Sequence, residues 1–201
     1  PNVKIEYTRR PYADGLYKQQ LLERLVDPDT NKAPDIMRIH NTWLPEFKDE
    51  LAPMPTSVYS ESQYSSIFYG TALKDFKAEG QLYSIPLMID TLGLYYNKDL
   101  FAQSGFTTPP TDWDRFIEYA QKLTKYDEDD RIIQAGAAMG SSSNVLHSAE
   151  ILSLLMLQSD IEMVSTDKTR ALFDSSNNSQ GATVVRYYTN FINRYKVWGT
   201  E

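Results

Sequence analysis

Hydrophobic patterning along the chain predicts five short strands. Residues 3–7 (VKIEY) alternate between apolar and polar side chains, which is typical of a half-buried strand. Residues 132–139 (IIQAGAAM) have mostly small side chains, which favour close packing of a helix over a sheet. The predicted strands are residues 3–7, 34–39, 82–85, 92–96 and 132–139.

Apolar residues at helical spacing predict helices between and after these strands. Because strands that alternate with helices favour parallel pairing, we predict a parallel α/β sheet. Thr111 and Asp114 have the spacing of a capping box at the start of one helix. The predicted helices are residues 16–26, 44–51, 63–80, 98–105, 113–123, 149–158 and 180–195.

Composition and charge narrow the functional classes. The 201-residue chain is 41% hydrophobic and 23% charged, as soluble globular proteins are. No apolar run approaches the roughly 18 residues of a membrane span. The net charge of −7 and the scattered basic residues disfavour nucleic-acid binding, which needs a basic patch. Because the chain has no cysteine, disulfides and thiolate chemistry are excluded.

The two ends of the chain lack the features of a complete protein. The chain begins at Pro1 without a methionine or signal peptide, and it ends at Glu201 without a closing element. We therefore expect both ends to be cut, so targeting cannot be judged from this chain.

Motifs of the common enzyme classes and metal sites are absent. The chain has no glycine-rich nucleotide loop, no serine-hydrolase elbow and no zinc-protease motif. His40 and His147 have no companion at ligand spacing, so we expect no metal ligand, no cofactor and no catalytic residue. A glycoside hydrolase that uses two carboxylates remains an alternative, although no spacing singles out a pair among the 27 acidic residues.

Polar and aromatic side chains remain at predicted strand ends, where α/β sheets bind ligands. Asp90 and Thr91 form a polar pair between two apolar runs. A turn in which both side chains form local hydrogen bonds explains this pair as well as a binding site does. Hydroxyl-rich ligands need side chains that both donate and accept hydrogen bonds. The apolar faces of such ligands can stack on tryptophan rings. For each tryptophan, packing in the protein core is the alternative explanation. This set indicates a binder of a neutral polar ligand: His40, Asn41, Trp43, Asp90, Thr91, Asn144 and Trp198.

Seven stretches carry a resemblance to a known family. The most specific are residues 94–101 (LYYNKDLF) and the helix start that follows at residues 109–114 (PPTDWD). The others are residues 1–5 (PNVKI), 33–36 (APDI), 82–87 (LYSIPL), 90–92 (DTL) and 151–158 (ILSLLMLQ). Together they resemble the extracellular solute-binding proteins of ABC transporters, in the sugar-binding group, across nearly the whole chain.

The resemblance implies a type II periplasmic-binding-protein-like fold, in which two α/β lobes close on a ligand. Residues 1–87 would form part of the first lobe, residues 88–97 the first hinge crossover, and residues 98–201 part of a helix-rich second lobe. The ligand contacts of the family map onto strand-end loops and onto the crossover. They correspond here to His40, Asn41, Trp43, Asp90, Thr91, Ser142, Ser143 and Asn144.

The resemblance also implies a function without catalysis or a cofactor. The protein would be the substrate-binding component of an ABC importer, delivering a sugar or oligosaccharide to the transmembrane subunits of a permease. It would lie outside the cell or in the periplasm, anchored to the membrane through an N-terminal segment missing from this chain. A sensor or adhesin module that reuses the binding fold is an alternative that the residues leave open.

This chain departs from the family pattern at both ends. The family has a strand and a helix before the Pro1-Asn2-Val3 strand, and it continues past Glu201. The resemblance therefore implies an incomplete fragment with weak or lost ligand affinity and with exposed sheet edges. We expect the fragment to cover such edges by domain swapping or dimerisation, which a well-folded monomer in sedimentation would contradict.

Overall fold

The computed structural model describes residues 3–9, 16–29, 33–141, 143–174 and 179–199. The chain divides into two compact units, Pro1–Asp90 and Thr91–Glu201, which are described separately below. Among the described residues, no helix is both long enough and apolar enough to span a membrane.

The first unit is built from short helices and one hairpin. Helix α1 is followed by a 3-10 turn (Asn41–Trp43) that leads directly into α2 and a second 3-10 turn (Lys48–Glu50). The hairpin pairs β1 with β2 in antiparallel register. The elements are α1 (Leu16–Leu25), α2 (Leu44–Phe47), α3 (Glu61–Ile67), α4 (Gly70–Phe76), β1 (Lys77–Ala78) and β2 (Gln81–Leu82).

The core of the first unit gathers around Tyr64 of α3. Its ring is fully buried and packs against Phe68, with 4.7 Å between the ring centroids. Its hydroxyl donates a 3.1 Å hydrogen bond to the Ser84 carbonyl, so the buried polar atom has a partner. Helix α3 begins with a capping box between Ser60 and Gln63, which satisfies amides at its N-terminus.

In the second unit, three long helices pack together, and a small hairpin follows the first of them. Strands β3 and β4 pair in antiparallel register. One core cluster joins α6 and α8 through Ile117, Ala120 and Phe191, and it also contains Val197 and Trp198. The elements are α5 (Lys98–Gln103), α6 (Trp113–Leu123), β3 (Lys125–Tyr126), β4 (Ile132–Gln134), α7 (Ser148–Gln158) and α8 (Gln180–Asn193).

The strands differ most from the sequence-based prediction. In the described part of the chain, the sheets are two antiparallel pairs of short strands, and a parallel sheet is absent. Residues 34–39 and 92–96 carry no strand, and neither does the first predicted run, where Val3, Ile5 and Tyr7 are 78%, 84% and 86% exposed. An alternating pattern indicates which face could be buried, but a strand also needs a partner for its amides.

The predicted helix at residues 63–80 is in fact three elements. The chain leaves α3 at Phe68, which has extended backbone dihedrals because its ring packs between Tyr59 and Tyr64. Helix α4 then ends in the β1–β2 hairpin, where Glu79 and Gly80 have φ values of 51° and 78°. Two positive φ values suit the twist of a two-residue hairpin turn, so Gly80 is a turn residue rather than a helix stop.

The start of α6 also differs in one residue from the predicted capping box. Asp112, rather than Thr111, is the N-cap, and its Oδ1 accepts a 2.8 Å hydrogen bond from the Arg115 amide. The helix begins at Trp113 and ends at Leu123, as its apolar stripe predicts.

Gly136 lies where the chain after β4 crosses α6 at close range. Its amide donates to the Val197 carbonyl (2.9 Å) and to Thr124 Oγ1 (3.1 Å). A Cβ at this position would lie 1.8 Å from the Ala120 carbonyl oxygen, which belongs to helix backbone and cannot rotate away. Only glycine therefore allows this approach.

We expect Gly136→Ala to lower the free energy of unfolding by about 1–3 kcal/mol, the usual cost of overpacking. Urea unfolding of wild type and variant, followed by circular dichroism, measures the difference. Gly70→Ala is the matched control, because a Cβ at Gly70 would meet no atom within 4 Å. An equal loss in both variants would contradict the steric explanation.

Alkaline pH should weaken the fold through its buried tyrosines. Burial raises the pKa of Tyr64 to about 12, and burial with smaller effects of Tyr195 and Asp114 raises the pKa of Tyr187 to about 12. Exposed tyrosines in the unfolded chain ionise near pH 10. Because the unfolded state then releases protons that the folded state retains, stability is complete below about pH 10 and falls as the pH approaches 12.

Urea unfolding midpoints across this pH range measure the effect. Tyr64→Phe should make the decline shallower, whereas Tyr95→Phe should leave it unchanged because Tyr95 is 96% exposed. A decline that is as steep in Tyr64→Phe as in wild type would contradict the assignment to Tyr64.

Candidate functional site

The 3-10 turn Asn41–Trp43 of the first unit and its N-cap, His40, include three of the predicted site residues. His40 caps the turn, because its Nδ1 accepts a hydrogen bond from the Thr42 amide (3.3 Å) and lies 2.8 Å from Thr42 Oγ1. Since Nδ1 acts as an acceptor, the neutral imidazole carries its proton on Nε2. The exposed ring therefore offers an N–H donor.

Asn41 is held by a residue from α4. Its Nδ2 donates a 2.7 Å hydrogen bond to Asp75 Oδ2 in a half-buried position. This contact fixes the rotation of the amide and leaves Oδ1 as an acceptor. Asp75 was not among the predicted site residues, because 34 positions separate it from Asn41 and no sequence pattern links them.

Trp43 lies half-buried in an aromatic cluster that also contains Tyr17 and Phe47. Its ring stacks on Phe47 at 5.9 Å and lies 6.0 Å from the Tyr17 ring. The ammonium group of Lys18 is 5.9 Å from the Trp43 centroid, and the His40 ring is 6.3 Å away. We call these five residues the Trp43 shelf; it combines an aromatic surface with a cation and an N–H donor.

Asp90 and Thr91 stand at the boundary between the two units, and both are exposed. In the described part of the chain, neither side chain has a hydrogen bond or ion pair. In a turn stabilised by its own side chains, the carboxylate or the hydroxyl would have formed a hydrogen bond with the nearby backbone. Both groups are therefore open to water or to a ligand.

The loop after β4 contains the second group of predicted residues. Asn144 closes the loop, because its Oδ1 accepts from the Ser141 amide (2.8 Å) and from Ser141 Oγ (2.9 Å). Ser143 is exposed, and its Oγ lies 3.3 Å from Ser141 Oγ. Ser142 lies outside the described residues.

Helix α8 supports the start of this loop. The Tyr188 hydroxyl lies 2.7 Å from the Met139 carbonyl oxygen and 2.8 Å from that of Gly140, so its proton is shared between them. Burial raises the pKa of Tyr188, which keeps the hydroxyl protonated as a donor. Gly140 has a φ of 101°, a backbone conformation that favours glycine.

The remaining tryptophans have packing roles. Trp198 is 6% exposed and packs in the core cluster with Ile117 and Phe191. Trp113 is half-buried and donates through Nε1 to Gln158 Oε1 at 2.8 Å. Because its ring lies within the core, Trp198 offers no face for stacking, whereas Trp43 is only half-buried.

Metal ligation has no support in the described part of the chain. Within it, no group of three or more histidine, aspartate or glutamate side chains could hold a metal ion. The acidic run after β3 instead forms its own turn, because Asp127 Oδ1 accepts hydrogen bonds from the amides of Asp129 (2.9 Å) and Arg131 (2.8 Å).

A cavity of about 720 Å³ lies in the second unit. Its walls are mainly aliphatic and aromatic side chains from residues 92–96, α6 and α7. Asn97 and Gln158 are among its few polar residues, and both already take part in hydrogen bonds. This cavity therefore suits apolar side chains better than a hydroxyl-rich ligand.

Comparison with known proteins gives consistent matches. Residues 1–153 match the family described as bacterial extracellular solute-binding protein. A binding protein of Brucella abortus is 30% identical over 104 residues, which cover 51% of this chain and 25% of that protein. The multiple sugar-binding protein of Streptococcus mutans is 24% identical over 135 residues, covering 61% of this chain and 27% of its own length.

A solved structure shares the fold. The ABC transporter solute-binding protein of Thermotoga lettingae, bound to α-D-tagatose, superposes with a TM-score of 0.62 at 20% identity. The match covers 92% of this chain and 46% of that structure. The chain thus spans about a quarter of the length of the curated relatives it matches and about half of this structure.

Proposed function

The chain belongs to the bacterial extracellular solute-binding protein family, and on that premise we propose that it binds a sugar or oligosaccharide for an ABC importer. The main support is the Trp43 shelf, where a half-buried indole lies beside a histidine N–H donor and a lysine. A sugar presents an apolar ring face and a rim of hydroxyls, which match this combination. The sugars in the names of its relatives agree with this class.

Apart from Trp198, each candidate residue has a role in the proposal. Trp43 stacks on a sugar ring, and Asn41, oriented by Asp75, accepts a hydroxyl hydrogen through Oδ1. Asp90 accepts hydrogen bonds from two hydroxyls, with Thr91 beside it. The second unit contributes Ser142, Ser143 and Asn144 as ligand contacts, all from the sequence that follows β4. Trp198 serves only to pack the core.

The proposed mechanism is closure of two lobes about a hinge. Residues 1–87 and 98–201 would contribute to the lobes, and residues 88–97 would form the first crossover. A ligand that contacts both lobes stabilises the closed state, and the permease then receives the ligand from that state outside the membrane.

We expect calorimetric titration with a panel of mono- and oligosaccharides to give heat for at least one sugar. Heat with a peptide or an inorganic anion, and none with any sugar, would contradict the sugar assignment. The titration should use the longest natural form of the protein as well as this chain, because relatives extend well beyond the matched region.

Substitutions separate the proposed contacts from packing. Trp43→Ala should weaken binding by at least about tenfold, as loss of an aromatic contact does. Tyr69→Ala is the matched control, because Tyr69 is also an aromatic residue of the first unit but is highly exposed.

Asp90→Asn should also weaken binding by about tenfold, since a charge-assisted hydrogen bond is lost. Unchanged affinity together with a large loss of stability would assign Asp90 to the turn.

A further inference from the structure

Asp75 belongs to helix α4, which packs against the 3-10 turn Asn41–Trp43. Its Oδ2 accepts a 2.7 Å hydrogen bond from Asn41 Nδ2, and both side chains are half-buried. Within the described residues this is the only hydrogen bond of the Asp75 carboxylate, and no basic side chain forms an ion pair with it. The carboxylate is therefore balanced by one neutral amide alone.

This position is unfavourable for an aspartate as far as folding alone is concerned. Asp75 lies in the last turn of α4, where the helix dipole favours basic side chains and disfavours a carboxylate. Half-burial also removes part of the hydration of the carboxylate, which can accept about four hydrogen bonds and accepts one. Residues that break several local rules together are expected at functional sites.

The second carboxylate oxygen of Asp75, Oδ1, is accessible from outside the protein. In the part of the chain that the structure describes, no buried side-chain oxygen or nitrogen lacks a hydrogen-bond partner. Since Asp75 Oδ1 has no partner among those residues, it is not a buried atom. The same reasoning applies to Asn41 Oδ1. Two available acceptor oxygens thus belong to two side chains that one hydrogen bond holds together.

This hydrogen bond also determines what the pair can bind. A carboxylate only accepts hydrogen bonds, so it selects the NH₂ group of Asn41 and leaves the amide oxygen for a ligand. Both available atoms are therefore acceptors, and their ligand must supply hydrogens. Hydroxyl groups on neighbouring carbon atoms supply two, and a hydrogen bond to a charged acceptor is stronger than one between neutral groups.

We propose that Asp75 contacts the ligand directly, and that Asp75 Oδ1 and Asn41 Oδ1 accept hydrogen bonds from two neighbouring hydroxyls of one sugar. This inference rests on the proposed sugar binding and adds a contact residue to it. Asp75 then has two roles, since Oδ2 orients the Asn41 amide and Oδ1 binds a hydroxyl. The bound hydroxyl replaces hydration that the half-buried carboxylate has lost.

Calorimetric titration with glucose, galactose, mannose and their disaccharides tests the contact, in the longest natural form of the protein as well as in this chain. Asp75→Asn keeps an oxygen that can accept from Asn41 Nδ2, but it loses the charge and the second oxygen. Asp75→Ala loses both roles. A direct contact predicts that both variants bind at least about tenfold more weakly than wild type. Orientation of Asn41 alone predicts that Asp75→Asn binds like wild type.

Monodeoxy sugars separate a contact from a structural effect. Each monodeoxy derivative of the panel sugar that binds most tightly is titrated against wild type and Asp75→Asn. Removal of the hydroxyl that Asp75 binds should weaken binding about tenfold in wild type. In Asp75→Asn the same removal should cost less than about twofold, because the two changes remove one interaction.

Asp49→Asn is the matched control for charge. It also removes one negative charge from the first unit, but the Asp49 side chain is 88% exposed, so sugar affinity should be unchanged. Circular dichroism and urea midpoints establish that each variant is folded. If Asp75→Ala does not fold, Asp75→Asn and the monodeoxy sugars decide alone.

Two results would overturn the inference and leave the proposed function intact. The first is a sugar that wild type and Asp75→Asn bind equally well. The second is additivity, in which every deoxygenation costs the same in Asp75→Asn as in wild type. If wild type binds no sugar of the panel, the proposed function is wrong and the inference fails with it.

Discussion

A strand adds stability only when its amides and carbonyls meet a partner, and this requirement shapes the protein more than any single side chain. Where partners are close in sequence, as at β1–β2 and β3–β4, short hairpins form. Where partners are not adjacent, the apolar runs at residues 3–7 and 92–96 remain outside any described sheet. The helices need no such partner, because their backbone hydrogen bonds are local. They and their packed faces therefore provide most of the core.

The same distinction explains what could be predicted from the sequence. The helix at Trp113–Leu123 agrees closely with its apolar stripe, since its cap and spacing are local signals. The helix at Ser148–Gln158 was predicted from an apolar run without a stripe, and its N-cap His147 makes no side-chain cap. The two-lobe fold class, reached through the resemblance, is confirmed by the family match and the fold of the solved relative. Pairing of strands was not predictable in the same way, because it depends on residues far apart in the sequence. The break of the predicted helix at Phe68 depends on aromatic packing that no spacing reveals.

The candidate site shows a similar division. The turn at Asn41–Trp43 follows an apolar run, and its polar side chains were identified from that position alone. Asp75, which orients Asn41, and Tyr17, which packs beside Trp43, come from other helices and carry no sequence signal. Trp198 has the residue type expected of a sugar-stacking contact, yet burial at 6% exposure assigns it to packing. Residue type therefore suggested the chemistry, and only the three-dimensional contacts separated a surface indole from a core indole.

The different surroundings of the three tryptophans give the chain its own optical labels. Trp198 is enclosed by apolar side chains, Trp113 is held by Gln158, and Trp43 lies half-buried beside a lysine and a histidine. Indole emission shifts to longer wavelength as its surroundings become wetter, so the three rings contribute to different parts of one spectrum. A small neutral quencher dissolved in the buffer reaches Trp43 more readily than Trp198. Changes in the first unit and in the core of the second can thus be followed separately without attaching a dye.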